Sequence, residues 1–281
     1  MQVFRHSTAI LGESPFWFEG ALWWCDITAG LIHRSAPGDP EDGSRDATIE
    51  LTAPVASFHP ADGGGFVVSL GDRVVLVDAA GEVTRTLAVI DHRQDGLRLN
   101  EGKVDPAGRW VTGSMDLIGD DPVAAFYAVG EEAVEIASGL ITANGVEFTP
   151  DGRRIWFTDT GVKTIYTATY SETGMIGEPE VFHRGVMHDG LALAIDGTLF
   201  GGVYGEGRVI RLSADGTELE SYELPAPNVT GVAFGDDRLY VTSARENLTE
   251  DQLVRFPLSG SVFSLDVGTT GYPVRMFSPA R

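Results

Sequence analysis

One unit recurs six times along this chain: a strand end, an acidic or Pro-Gly turn, then a strand dominated by β-branched and aromatic residues. The copies are "WFEGALWWCDITAG" (Trp17–Gly30), "FHPADGGGFVVSLG" (Phe58–Gly71), "VDPAGRWVTGSMD" (Val104–Asp116), "FTPDGRRIWFTDTG" (Phe148–Gly161), "AIDGTLFGGVYGEG" (Ala194–Gly207) and "FGDDRLYVTSAR" (Phe234–Arg245). They follow one another at roughly 41–46 residues, the length of a four-stranded propeller blade. Six such units fill the chain almost to its ends, and the capping units that a solenoid requires are not evident. The expectation is an all-β fold, a six-bladed β-propeller formed as a single domain over residues 1–281, with a central metal-binding tunnel. No Gly-His…Trp-Asp pairing recurs, which argues against the WD40 subtype. The 35 glycines and 14 prolines break every helical period, so that even "PVAAFYAVGEEAVEIASG" reads as strand-turn-strand.

Composition narrows the partners. A hydrophobic content of 43% is that of a folded protein, and the formal charge of −21 disfavours nucleic acid and anionic membrane surfaces. No apolar run approaches the ~20 residues needed to span a bilayer. The N-terminus lacks the apolar stretch and cleavage site of a signal peptide. The single cysteine, Cys25, suits a reducing compartment. A cytoplasmic protein, monomeric or weakly homo-oligomeric, is the expectation.

Aligning the copies on their turns and stepping back to the start of the preceding strand gives one position per blade. Those positions hold Glu13, Val55, Asn100, Asn144, Asp189 and Thr230. The innermost strands of a propeller line its axis, so these side chains are expected to ring one mouth of the tunnel. Carboxylates crowded there repel one another, and one would be forced neutral unless a cation intervened. Side-chain oxygens of Glu13, Asn144 and Asp189 suit one divalent ion such as Ca²⁺, Mg²⁺ or Mn²⁺, with Zn²⁺ and Fe²⁺ as borderline alternatives. Three protein oxygens leave coordination positions for water and substrate, which points to catalysis. The "ITANGVEFTP" stretch (Ile141–Pro150) is therefore read as the start of an inner strand, although Asn-Gly between apolar runs is ordinarily a hairpin signal.

The segments "LGESPFWFEGALWWCDI", "RLNEGKVDPAGRWVTGSM", "ITANGVEFTPDGRRIWFTDT", "HDGLALAIDGTLFGGVYGEGRVIRLSADG" and "TGVAFGDDRLYVTSA" resemble the senescence marker protein 30 (regucalcin)/gluconolactonase family. The resemblance covers nearly the whole chain. It implies a six-bladed propeller with one divalent metal, and an activity of metal-dependent hydrolysis of a small-molecule sugar lactone. Carried over by motif, the metal ligands fall on Glu13 of "GESP", Asn144 of "ANGVEF" and Asp189 of "HDG". The Arg-x-Asn pair that contacts substrate hydroxyls falls on Arg98 and Asn100. Two positions depart from the family: Leu117 and Ile118 stand where some members place an acid, and His188 replaces the proline before "DG". Asp116 and His188 are the further candidate substrate contacts, although the period-two phase of His188 relative to Asp189 aims it away from the tunnel.

Lactone opening needs a polarised carbonyl and an activated water, which a bound cation favours. Asp189, beside that water, is the candidate catalytic general base, returning its proton to the ring oxygen. Alternatives are a same-fold esterase for another lactone or an organophosphate, and a non-enzymatic calcium-binding propeller. Trp23 and Trp24 read as packing groups, Asp26 and Asp159 as acceptors for turn amides, and Cys25 as a small buried apolar side chain. The remaining histidines lack metal-ligand spacing.

Overall fold

The computed structural model describes residues 1–278. The chain opens with β1 (Gln2–Arg5), followed by a sheet of β2 (Gly12–Phe18), β3 (Ala21–Asp26), β4 (Leu31–Ser35) and β5 (Ala47–Glu50). Next come β6 (Val55–Pro60), β7 (Phe66–Leu70), β8 (Arg73–Val77) and β9 (Val83–Val89). The third sheet is β10 (Leu97–Val104), β11 (Trp110–Asp116), β12 (Ala124–Val129) and β13 (Ala133–Leu140). The fourth is β14 (Ala143–Phe148), β15 (Arg154–Asp159), β16 (Thr164–Thr169) and β17 (Glu180–Arg184). The fifth is β18 (His188–Leu193), β19 (Leu199–Val203), β20 (Arg208–Leu212) and β21 (Glu218–Glu223). The last has β22 (Val229–Gly235), β23 (Arg238–Ser243) and β24 (Val262–Leu265), with β1 hydrogen-bonded to β24 as its fourth strand.

These are the blades of a six-bladed β-propeller, and each repeated turn found in the sequence joins the first two strands of one blade. The strand-turn-strand reading of residues 122–139 holds, as β12 and β13. A short helix, α1 (Glu250–Arg255), interrupts the last blade between β23 and β24. Its capping box, Thr249 with Gln252, is a sequence signal that the strand-based reading passed over. Among the described residues no helix is long and apolar enough to cross a membrane.

The structure divides into two compact units. One comprises residues 1–54 and 189–274, the other residues 55–188 and the segment from Arg275. Each contributes three blades. In the second unit, Val111 and Phe126 of one blade pack against Val146, Phe148, Ile155 and Phe157 of the next, all buried. Phe126 meets Phe157 edge-on, with ring centroids 5.5 Å apart. In the first unit, Phe200 and Val209 pack likewise with Val232, Leu239, Val241 and Phe263. Burying each such side chain contributes about 1.5–3 kcal/mol, so the apolar strand faces that define the repeat also join neighbouring blades.

Candidate active site

Five of the six strand starts singled out by the repeat share a backbone device. The pairing register of the innermost strand with its neighbour shifts between Glu13 and Phe16, Val55 and Ser57, Leu99 and Gly102, Asn144 and Val146, and Val229 and Val232. A bulge of this kind re-aims a side chain out of the regular alternation. At Asn144-Gly145 it uses the left-handed conformation of Gly145 (φ 37°), so the pair lies inside β14 and makes no hairpin. Ser14 takes a comparable conformation (φ 49°) next to Glu13.

In the first unit these starts carry acid. Glu13 and Asp189 are both buried. The Glu13 Oε2 accepts the Ser14 N–H at 2.8 Å. A Cβ at Gly231 would lie 3.0 Å from Glu13 Oε2 and 2.3 Å from Pro15 Cδ, so only glycine fits. A Cβ at Gly190 would lie 2.8 Å from the Gly231 Cα, which brings the residue after Asp189 against the same strand. Thr230 is engaged in joining blades, since its hydroxyl donates to the Gly12 carbonyl at 2.6 Å. Tyr204, just beyond β19, is the residue that the sequence reading missed. Burial pushes its phenol up to about 12, and the negative charges of Asp189, Glu246 and Glu13 act in the same direction, against the Asn247 hydrogen bond.

The strand starts of the second unit carry amides and a guanidinium. Arg98 Nη1 donates to the Asn100 Oδ1 and to the Leu99 carbonyl, each at 2.8 Å. Asn100 Nδ2 in turn donates to the Ala143 carbonyl at 3.2 Å, next to buried Asn144. The Arg-x-Asn pair is thus one hydrogen-bonded assembly anchored on β14. Asp116 accepts the Ile118 N–H at 2.9 Å and the Gln94 side-chain amide at 3.1 Å, so its carboxylate organises the loop of Leu117 and Ile118. His188 is fully buried, its ring 5.1 Å from that of His183, while its carbonyl accepts the Thr160 hydroxyl at 2.6 Å.

The plain readings of Asp26, Asp159, Cys25 and Trp24 hold in detail, while Trp23 is only half-buried. Asp26 accepts the amides of Ile10, Leu11 and Ala29, and Asp159 those of Ile141, Thr142 and Gly161. Cys25 is buried, as is Trp24, which stacks on His33 at 4.1 Å.

Among the described residues no three His, Cys, Asp or Glu side chains gather into a metal-binding group. A cation held by Glu13 and Asp189 would need a further protein donor from a carboxamide or a backbone oxygen. Glu13 and Asp189, two buried carboxyl groups of one unit, offer oxygen donors whose chemistry fits a hard divalent cation.

Comparison with known proteins agrees with this fold. Residues 11–245 match the model of the SMP-30/gluconolactonase/LRE-like region. A 6-deoxy-6-sulfogluconolactonase of Pseudomonas putida is 34% identical over 96% of each chain. A pentonolactonase of Haloferax volcanii is 31% identical over 94% of this chain and 93% of its own. The crystal structure of a calcium-binding protein, regucalcin, from Agrobacterium tumefaciens superposes with a TM-score of 0.89 at 27% identity, covering 98% of this chain and 96% of its own. The chain belongs to the SMP-30/gluconolactonase/LRE-like family.

Proposed function

We propose that this protein is a metal-dependent hydrolase that opens a sugar lactone to the aldonic acid. The observation that carries the reading is the pair of buried carboxyl groups, Glu13 and Asp189, at two strand starts of one unit, with Glu13 against Gly231 and Gly190, next to Asp189, packed on the same glycine. The lactonase names of relatives matched over almost the whole chain support the substrate class. Glu13, Asn144 and Asp189 would hold one divalent cation. When bound, that ion supplies Lewis-acid polarisation of the lactone carbonyl and acidifies water. Arg98 and Asn100 orient sugar hydroxyls, the guanidinium donating and the carboxamide both donating and accepting. Asp189 takes the proton from the water that attacks the carbonyl carbon. As the bond between that carbon and the ring oxygen breaks, the same proton goes to the ring oxygen, which leaves as a hydroxyl.

The test is a pH-stat assay of purified protein on a panel of hexono-, pentono- and 6-sulfo-hexonolactones with each candidate cation. Turnover of at least one member well above spontaneous hydrolysis is the expected result. A folded protein that accelerates none of them with any divalent ion overturns the reading.

A further inference from the structure

Tyr204 sits where the chain leaves β19, and three distant segments converge on its phenol. Asn228 Nδ2 donates to the phenol oxygen at 3.2 Å and Asn247 Nδ2 donates to it at 3.0 Å. The backbone of Tyr204 bridges to that of Asn228. Asn247 holds a left-handed conformation (φ 61°) that a non-glycine residue adopts at a cost, with its side-chain amide bonded to the phenol oxygen. Its loop is fastened on both sides: the Glu246 amide donates to the Ile10 carbonyl at 2.8 Å, and α1 follows directly under its Thr249 cap.

Two N–H donors occupy the acceptor sites of the phenol oxygen, so the O–H hydrogen is left to be given. Its acceptor within the protein is the Glu246 carbonyl at 3.4 Å, a long bond to an oxygen that already receives the Asn228 amide at 2.7 Å. Such a donor is preorganised for a better acceptor. The bridge to Asn228, two residues before Thr230, and the close approach of Gly202 to the Thr230 carbonyl place Tyr204 beside the start of β22, in the unit that holds Glu13 and Asp189.

We propose that Tyr204 is a substrate-binding residue whose O–H donates a hydrogen bond to a hydroxyl oxygen of the sugar lactone, with Asn228 and Asn247 as the positioning residues that aim it. This rests on the lactonase reading. A neutral hydrogen bond to a hydroxyl present in ground and transition states alike changes KM more than kcat.

The experiment compares wild type, Tyr204→Phe and Asn247→Ala on an accepted aldonolactone and on its monodeoxy analogues, with metal content measured for each protein. Tyr204→Phe is expected to raise KM about 3–10-fold with kcat within about 2-fold. Asn247→Ala is expected to give a smaller rise of the same kind, and metal content is unchanged in both. With the analogue lacking the contacted hydroxyl, wild type and Tyr204→Phe should show equal KM. An unchanged KM in Tyr204→Phe, a loss of metal parallel to the loss of activity, or a penalty identical on every deoxy analogue overturns the proposal. If wild type turns over no lactone, the functional reading fails separately, and calorimetric titration with aldonate and divalent metal decides Tyr204. Weaker aldonate binding by Tyr204→Phe sustains its role; equal or absent binding by both proteins overturns it.

Discussion

The two units use the same blade hairpin and load it with opposite chemistry. In the first unit the strand starts hold Glu13, Asp189 and Thr230; in the second they hold Val55, Asn100 and Asn144, with Arg98 bonded to Asn100. Further along the inner strands the contrast reverses. The second unit has buried His59 and an ion pair between half-buried Lys103 and buried Glu147 at 2.8 Å. Three residues past Asp189 and Thr230 the first unit has only Ala192 and Ala233. A blade therefore specifies where a side chain is offered, and residue choice at a few strand starts specifies what is done there. On the proposed reading, Glu13 and Asp189 serve the cation and the proton transfer, and Arg98 and Asn100 serve the polyhydroxylated substrate.

Substitutions can break that division. The largest effect is expected at Asp189→Ala, with kcat/KM falling about 10³-fold or more and bound metal lost, as read by steady-state assay and metal analysis. A variant that keeps both metal and rate would remove Asp189 from the account. Next comes a stability test of the second unit, where Asp105 lies fully buried. It accepts the Arg109 Nη2 at 2.6 Å, the Arg109 Nε at 2.7 Å and the Tyr170 hydroxyl at 2.8 Å. Asp105→Ala leaves the guanidinium and phenol without their acceptor and should cost about 3–5 kcal/mol in urea unfolding. A loss below about 1 kcal/mol would show that this node is dispensable.

Arg98→Ala sharpens the substrate side. Removing a charged donor should raise KM about 10–100-fold while metal content stays at the wild-type level. Metal loss in this variant would mean that the second unit's assembly serves the cation instead.

The smallest effect concerns His59. Burial, with the positive charges of Lys103 and Arg275, lowers its pKa from 6.5 to about 3. The unfolded chain takes up that proton near pH 6.5 and the folded protein only near pH 3. The unfolded state thus binds more protons throughout that window, and stability falls as pH drops through it. At pH 5 the His59 contribution is a loss of about 2 kcal/mol relative to pH 7. His59→Gln should lessen this decline in denaturation curves; an identical decline would place the acid sensitivity elsewhere.

Much of this was legible in the sequence because its physical cause is local. The turns "TPDGRR" and "AIDGTL" announce hairpins through residues suited to turn geometry, and the alternating β-branched and aromatic runs announce buried strands. Asp26 and Asp159 were readable as turn acceptors for the same reason. Non-local features were not legible. The bulges depend on pairing register, and the joining of β1 to β24 links residues at opposite ends of the chain. Tyr204 lies outside the repeat position that exposed Glu13 and Asp189, and its partners Asn228 and Asn247 stand 24 and 43 residues away. Only the fold collects them.

The measurement that bears most directly on the account follows lactone hydrolysis by one preparation before chelation, after exhaustive chelation, and after return of a single divalent ion. The account predicts that chelation abolishes turnover, that the returned ion restores it in wild type, and that Asp189→Ala is not restored. Hydrolysis that survives complete removal of metal would contradict it.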